Sequence, residues 1–98
     1  MIKLTPAQKQ HLKGLAHTLS PVVIIGEKGL TAAVLKETDG ALKAHELIKI
    51  KAGSDEKETR GLWLEKICHD LDAAAVQQIG KILVIYRPAE KPVIQVPR

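Results

Sequence analysis

The chain of 98 residues contains very few aromatic side chains: one tryptophan, one tyrosine and no phenylalanine. Domains that read single-stranded RNA by stacking bases on a sheet, such as the RNA-recognition motif and the OB-fold, need several exposed aromatic rings. The composition excludes a platform of that kind. If the protein binds nucleic acid, it must use charge and backbone groups.

Cysteine pairs, long apolar runs and an export signal are also missing. The single cysteine, Cys68, excludes an intramolecular disulfide and any multi-cysteine zinc site, and it suits a reducing compartment. No apolar run approaches the roughly 20 residues of a membrane span, and the first residues contain no apolar segment typical of a signal peptide. We therefore expect a cytoplasmic protein of one domain with no metal, no cofactor and no membrane attachment.

Positive charge is concentrated at both ends of the chain, which has 15 basic and 11 acidic residues in all. Residues 1–20 contain three lysines and no acid, whereas residues 21–78 contain eight basic and ten acidic groups. Residues 79–98 contain four basic residues and one acid. If the two ends lie close together, they form one basic patch that attracts phosphates. The alternative is a solvated surface that keeps the protein soluble.

Capping patterns predict three helices, beginning at Thr5-Pro6-Ala7-Gln8, at Thr31, and at Asp55 with Glu58. Apolar residues at helical spacing predict that these helices extend to Leu19, to about His45 and to about Leu71. The residues expected on their buried sides are Leu12, Leu15, Ala16 and Leu19; Val34, Leu35, Thr38, Ala41 and Leu42; and Leu62, Trp63, Ile67 and Leu71.

Four short segments predict β-strands. Residues 22–25 are apolar and β-branched with no polar face, which is typical of an interior strand. Residues 47–51 alternate between apolar residues and lysines. Residues 75–79 and 82–87 are joined by Gly80-Lys81, a sequence that suits a type II′ hairpin turn. The last segment is apolar on both faces, so we expect it to be a central strand.

The predicted order of elements is therefore α-β-α-β-α-β-β, which indicates an α/β fold in a single compact domain. The alternation implies right-handed crossovers between the first strands, and the final antiparallel hairpin makes the four-stranded sheet mixed. We expect this domain to cover residues 1–88 and an extended tail, which contains Pro92 and Pro97, to cover residues 89–98.

The segment Gly26-Glu27-Lys28-Gly29 joins the first strand to the second helix. Two glycines allow positive φ and leave no side chain between the backbone and a ligand. The N–H groups and dipole of the following helix favour a phosphate, and Lys28 adds a full charge. This spacing matches the GxxG loop of KH-type modules and neither a Walker loop nor a dinucleotide-binding loop. The alternative is an ordinary strand-to-helix turn, and Glu27 would repel a phosphate.

Five motifs, in order along the chain, make the sequence resemble one known family. They are Gly-Leu-Ala-His at 14–17, Pro-Val-Val-Ile-Ile-Gly at 21–26, Gly-Leu-Thr at 29–31, His-Glu-Leu-Ile-Lys-Ile-Lys at 45–51 and Ile-Gly-Lys-Ile-Leu-Val-Ile-Tyr-Arg at 79–87. Together they closely resemble the CRM domain (chloroplast RNA splicing and ribosome maturation) in its stand-alone bacterial, YhbY-type form. The resemblance covers nearly the whole chain to Pro88.

The resemblance implies a mixed four-stranded sheet similar in architecture to the C-terminal domain of translation initiation factor three. It also implies an RNA-binding domain that associates with precursors of the large ribosomal subunit, with the GxxG loop and a nearby basic surface in contact with RNA. Carried over to this chain, the loop is Gly26, Glu27, Lys28 and Gly29. Glu27 departs from the family, whose bacterial members often have a basic residue there.

Further basic residues are candidate RNA contacts: Lys9 and Lys13 on the first helix, Lys49 and Lys51 on the second strand, and Lys81 and Arg87 around the last strand. A single lysine is more often a solvated charge than a contact. Arg87 is the strongest candidate, because its guanidinium offers a bidentate fork to a phosphate. The alternative for Arg87 is a structural ion pair with a carboxylate at the strand end.

No pattern in the sequence suggests catalysis. Cys68 and His69 are adjacent on a predicted helix and therefore point about 100° apart, so we expect Cys68 to be a small buried hydrophobe. The leading interpretation is a monomeric RNA-binding protein that assists assembly of the large ribosomal subunit. The alternatives are a general DNA-binding or RNA-binding protein without a ribosomal role, a phosphate-ligand enzyme, and a protein-interaction module.

Overall fold

The computed structural model describes residues 2–97 and contains three helices and four strands in the predicted order. Their bounds are α1 Pro6–Ala16, β1 Pro21–Ile25, α2 Ala32–His45, β2 Leu47–Ala52, α3 Lys57–Leu71, β3 Ala74–Ile79 and β4 Ile82–Tyr86. The α/β class and the mixed four-stranded sheet are thereby confirmed.

The strands form a single sheet in the order β1-β2-β4-β3. β1 pairs parallel with β2, and β4 pairs antiparallel with both β2 and β3. The prediction that the last strand is central is confirmed. The prediction that the first strand is interior is wrong, because β1 lies at the edge of the sheet and leaves Val22 and Ile24 exposed by 47% and 65%.

Helices α2 and α3 cover one face of the sheet. The connections β1–α2–β2 and β2–α3–β3 both join strands of the same direction, and both move the same way across the sheet. Right-handed crossovers then place both helices on one face. The core between them contains Ile25, Leu42, Ile50, Ile67 and Leu83, all completely buried.

The opposite face is covered by α1 and by the residues after β4. Leu12 and Ala16 of α1 pack against Val84 and Tyr86, and Ile94 and Val96 add to this second core cluster. The side-chain amide of Gln8 donates a hydrogen bond of 2.8 Å to the carbonyl oxygen of Pro97. Helix α1 and the C-terminal segment up to residue 97 therefore meet on this face, and that segment packs against the domain without forming a helix or strand.

Two of the three predicted helix caps are present. Thr5 and Gln8 form the capping box of α1, and the Thr31 hydroxyl accepts a hydrogen bond from the backbone N–H of Val34 at the start of α2. The predicted cap of α3 by Asp55 is wrong: the helix begins after Glu56. Because the β3–β4 turn lies beside this loop, Asp55 instead pairs with Lys81 across 2.6 Å.

Three leucines expected to be buried are exposed: Leu15, Leu19 and Leu62. Leu15 and Leu19 lie beside the exposed part of β1, where no helix covers the sheet. In α3, the buried side is formed by Leu64, Ile67 and Cys68, and Leu62 lies away from it. Trp63, also expected in the core, is partly buried and packs against the main cluster.

Gly53 provides a test of the contact between the ends of β1 and β2. Its N–H donates to the carbonyl oxygen of Ile25 at 2.8 Å, and a Cβ at this position would lie 2.5 Å from the same oxygen. We expect Gly53→Ala to lower the free energy of unfolding by about 1–3 kcal/mol, because backbone must move. Urea unfolding measures the change.

The matched control is Gly40→Ala in α2, where a Cβ would meet nothing within 4 Å. Alanine in a helix interior is preferred over glycine by roughly 0.5–1 kcal/mol, so this variant should be more stable. Equal stability of the two variants would contradict the close approach at Gly53.

Candidate nucleic-acid interface

Acidic side chains are absent from α1 and from all four strands, although the chain has 11 of them. They lie on α2 and α3, in the connecting segments and after β4. The charged residues of α1 are Lys9 and Lys13, and those of the sheet are Lys49 and Lys51 on β2. We call α1 together with the sheet surface on its side the basic face, because its four charged side chains are all lysines.

The lysines of the basic face have no ionic partners among residues 2–97, unlike several lysines elsewhere. Lys43 pairs with Asp39 at 3.1 Å and Lys66 with Asp70 at 3.0 Å, each one turn along a helix. Paired lysines of this kind present a partly neutralised surface. Unpaired lysines keep their full charge and their three donors for an anion such as phosphate.

The Gly26–Gly29 loop is a tight turn in which the N–H of Gly29 donates to the carbonyl oxygen of Gly26 at 3.0 Å. Gly29 has a φ of +72°, and a Cβ there would lie 3.4 Å from the indole ring of Trp63. A Cβ at Gly26 would meet nothing within 4 Å. The fold therefore requires Gly29, whereas Gly26 leaves a stretch of backbone uncovered on the solvent side. Lys28 is exposed beside it.

The loop lies at one end of the sheet, together with two other segments. Parallel β1 and β2 both end here, and the β3–β4 turn returns to the same place, since the N–H of Ala52 donates to the carbonyl oxygen of Lys81 at 2.7 Å. Gly80 has a φ of +53°, which a type II′ turn requires at its first central position. The fold therefore brings Lys51 and Lys81 to the same end of the sheet as the loop. Lys81 is engaged by the exposed carboxylate of Asp55.

A shallow cleft lies between the last turn of α1 and strands β2, β4 and β3, and Lys13 and Lys49 both line it. His17 and Gln77, two polar residues that the sequence analysis did not select, line the same cleft. His17 follows Lys13 by one helical turn, and this spacing is visible in the sequence. The position of Gln77 depends on a shift of register in β3, which no sequence pattern marks.

Arg87 lies at the opposite end of the sheet from the loop and is held within the fold. Its guanidinium donates to the carboxylate of Asp39 at 2.8 Å and to the carbonyl oxygen of Leu71 at 2.9 Å. Hydrogen bonds from Arg87 and from Lys43 hold the pKa of Asp39 below its usual value. The structural ion pair considered as the alternative for Arg87 is therefore present, and it ties β4 to α2 and to the end of α3.

Glu46 fixes the C-terminal segment at this same end of the sheet. It ends α2 with a φ of +64°, and its buried carboxylate accepts three backbone hydrogen bonds of 2.8–3.0 Å from Ala89, Val93 and Ile94. Burial alone would raise the pKa of Glu46, but the three backbone donors outweigh burial and lower it. The ionised carboxylate therefore acts as a structural anchor.

The remaining chemistry-bearing groups show no catalytic arrangement within residues 2–97. Cys68 is completely buried, and burial raises the pKa of its thiol to about 11. A thiol of this kind stays protonated and unreactive at neutral pH. In the same range no three His, Cys, Asp or Glu side chains are grouped so that they could hold a metal ion. None of the helices described here has the length and apolar character that crossing a membrane requires.

The fold and the site define a small α/β domain with a glycine loop at one end of the sheet and a basic face beside it. The CRS1 / YhbY (CRM) domain matches residues 4–87. A protein of Haemophilus influenzae named RNA-binding protein is 52% identical over 98 residues, covering 100% of this chain and 99% of its own length. A protein of Pseudomonas aeruginosa named probable RNA-binding protein is 43% identical over 89 residues, covering 91% of this chain and 86% of its own length. The chain belongs to the CRM domain family.

A solved structure agrees with this assignment. The solution structure of a hypothetical protein from Staphylococcus aureus, described as a candidate RNA-binding protein, matches with a TM-score of 0.86 at 32% sequence identity. The match covers 97% of this chain and 100% of that chain. The predicted family and the predicted fold are both confirmed. The individual contact residues, from Lys9 to Arg87, stay predictions.

The anchoring role of Glu46 predicts how the C-terminal segment responds to acid. The pKa of Glu46 is lowered from 4.5 in the fold, so its stabilisation is complete well above pH 4.5 and is lost as the pH falls through the lowered value. We expect the protection factors of the Ala89, Val93 and Ile94 amides to be high at neutral pH and to fall only below about pH 4.5. Hydrogen exchange followed by NMR measures this.

Glu46→Gln is the informative variant, because its amide has only one acceptor oxygen and presents donors to N–H groups. The protection factors of these amides should then fall at pH 7 as well, most clearly at Ala89, which alone uses the second oxygen, while amides of the α2–α3 core stay protected. Unchanged protection of the three amides at pH 7 would show that Glu46 does not anchor the segment.

Proposed function

We propose that the protein binds RNA and, as a cytoplasmic monomer, associates with precursors of the large ribosomal subunit to assist their assembly. The observation that carries this proposal is the Gly26–Gly29 loop, exposed at Gly26, Glu27 and Lys28, beside α1 and strands that have no carboxylate side chain. Membership in the CRM domain family and the names of the relatives support RNA as the partner. The ribosomal role follows from the family resemblance described above.

The loop would hold the RNA backbone by a combination of bare backbone and charge. Gly26 leaves room for a phosphate to approach the main chain, and α2, which begins at Ala32 shortly after the loop, would add a positive dipole end. Lys28 adds a full charge at the tip, whereas Glu27 opposes the phosphate. Lys51 lies near the loop end of the sheet and extends the positive charge from the loop onto the basic face.

A general nucleic-acid-binding role is the second candidate, and the scarcity of aromatic residues favours it. Contacts made by lysines and backbone groups carry no base information by themselves. Competition between a large-subunit ribosomal RNA transcript and duplex DNA of equal length, at one salt concentration, separates the two candidates. Preference for the transcript supports the ribosomal role, and equal competition supports general binding.

The direct test of the proposed function is the distribution of the protein across a sucrose gradient of cell lysate. We expect it to migrate with large-subunit precursors at low salt and to leave them when the salt concentration is raised, because phosphate contacts are salt-dependent. A protein that stays at the top of the gradient even at low salt would contradict the ribosomal role.

Lys28→Glu tests the loop. We expect weaker binding to a large-subunit ribosomal RNA transcript, with the slope of log affinity against log salt reduced by about one, because a phosphate contact is lost. Filter binding across a salt series measures both. Helix α2 should be preserved, because Thr31 still caps it.

The matched control is Lys36→Glu, the same charge reversal at an exposed lysine of α2, outside the loop and in the helix layer on the other side of the sheet from the basic face. It should reduce affinity less than Lys28→Glu and leave the salt slope closer to that of the unchanged protein. Glu27→Lys should tighten binding, since it removes a repelling carboxylate from the loop. Equal effects of Lys28→Glu and Lys36→Glu would show that the loop is no specific contact.

A further inference from the structure

The cleft beside α1 combines an aliphatic floor with an unpaired polar rim. Ile79 and Ile82 contribute to the floor, and Lys13, His17, Lys49 and Gln77 form the rim. No carboxylate lines the cleft. None of the four rim side chains makes a hydrogen bond or an ion pair with any of residues 2–97, so their donors and acceptors remain available to a ligand.

A β-bulge aims Gln77 into this cleft. Ala75 pairs with Ile85 and Gln77 pairs with the next residue, Val84, so β3 advances by two residues where β4 advances by one. Bulges redirect side chains and are frequent beside binding sites. The neighbouring residue Gln78 is used differently: its amide donates to the carbonyl oxygen of Lys57 at the start of α3, on the other side of the sheet.

The size of the cleft limits what it can hold. Its volume is about 170 Å³, which is below the roughly 300–1,000 Å³ of sites for drug-sized ligands. A single flat ring system with a phosphate at the rim matches both the small volume and the two lysines. An amide, which has a donor and an acceptor, suits the edge of a nucleobase, and an exposed imidazole is one of the side chains on which unstacked bases pack.

We propose that this cleft binds one unstacked nucleotide of the RNA. The base lies on the aliphatic floor beside the imidazole of His17, the amide of Gln77 bonds to its edge, and Lys13 and Lys49 contact the adjoining phosphates. The inference rests on the proposed function, since it assigns a site on the same RNA-binding surface. It also supplies a base contact that the loop, made of backbone and charge, does not provide.

The test is an NMR titration of the full chain, labelled with ¹⁵N, with 5′-AMP and with ribose 5-phosphate as probes. We expect 5′-AMP to shift the amides of His17, Lys49 and Gln77 in a saturable way, and ribose 5-phosphate to bind there several-fold more weakly because it has no base. Equal shifts with both probes would overturn the inference and reduce the cleft to a phosphate contact. Shifts at residues 26–29 alone would overturn it as well.

Gln77→Leu removes the amide and keeps the side-chain bulk. We expect it to weaken 5′-AMP binding about two- to twelvefold, the range that one lost hydrogen bond of roughly 0.5–1.5 kcal/mol implies. The matched control, Gln78→Leu, changes the adjacent residue on the other side of the sheet and should leave 5′-AMP binding unchanged. Equal affinity of the Gln77→Leu and unchanged proteins would refute the base contact.

The failure of this inference is distinguishable from failure of the proposed function. Lys28→Glu should leave the 5′-AMP shifts in the cleft intact while it weakens binding to the ribosomal RNA transcript. Strong binding of the transcript without any nucleotide response in the cleft would leave the proposed function standing and exclude the nucleotide site.

Discussion

The layout of the molecule depends on the direction in which its two crossover connections traverse the sheet. Both β1–α2–β2 and β2–α3–β3 proceed the same way, so the right-handed rule sends both long helices to one face. Helices α2 and α3 cover that face, which we call the sealed face. The other face has only α1, which is 11 residues long, and the segment after β4 to cover it. Part of this face of the sheet therefore stays open to solvent. Every binding feature proposed above lies on this open face or at the end of the sheet that carries the loop.

The same constraint decides where charge can lie on the sheet. A lysine on the sealed face would have to leave water without a partner, which is costly, and β2 accordingly directs Ile48 and Ile50 there. Its alternate residues, Lys49 and Lys51, lie on the open face, where water or an anion can solvate them. Because α1 and the strands carry no carboxylate side chain, none of these elements competes with a phosphate for those lysines.

Local signals in the sequence predicted local structure well and long-range neighbours poorly. The capping residues Thr5 and Thr31 act within their own first turns, so a short window was sufficient to place the starts of α1 and α2, although α1 ends at Ala16 and not at Leu19. Asp55 fitted the same pattern, but its carboxylate was taken by Lys81, which is 26 residues away and adjacent only after the hairpin forms. The apolar run of β1 likewise did not reveal an edge strand, because strand order depends on where β4 inserts. The position of Gln77 in the cleft could not be predicted for a related reason, because its orientation follows from a bulge that exists only in the paired sheet.

The two ends of the sheet use charge in opposite ways. At the end away from the loop, Asp39 is satisfied by Arg87 and Lys43, and Glu46 is satisfied by three backbone N–H groups. These interactions hold the pKa of both carboxyl groups below the usual values, so both stay ionised with partners inside the fold. The negative charge of Asp39 is thereby compensated by two cations and repels an approaching RNA less than a free carboxylate would. At the loop end and on the basic face, Lys13, Lys28 and Lys49 have no such partners among residues 2–97, so their charge is available to the proposed RNA ligand. In the proposed binding mode, stability and recognition thus depend on separate charged residues, so a domain of 98 residues keeps a basic face without placing its lysines in the core.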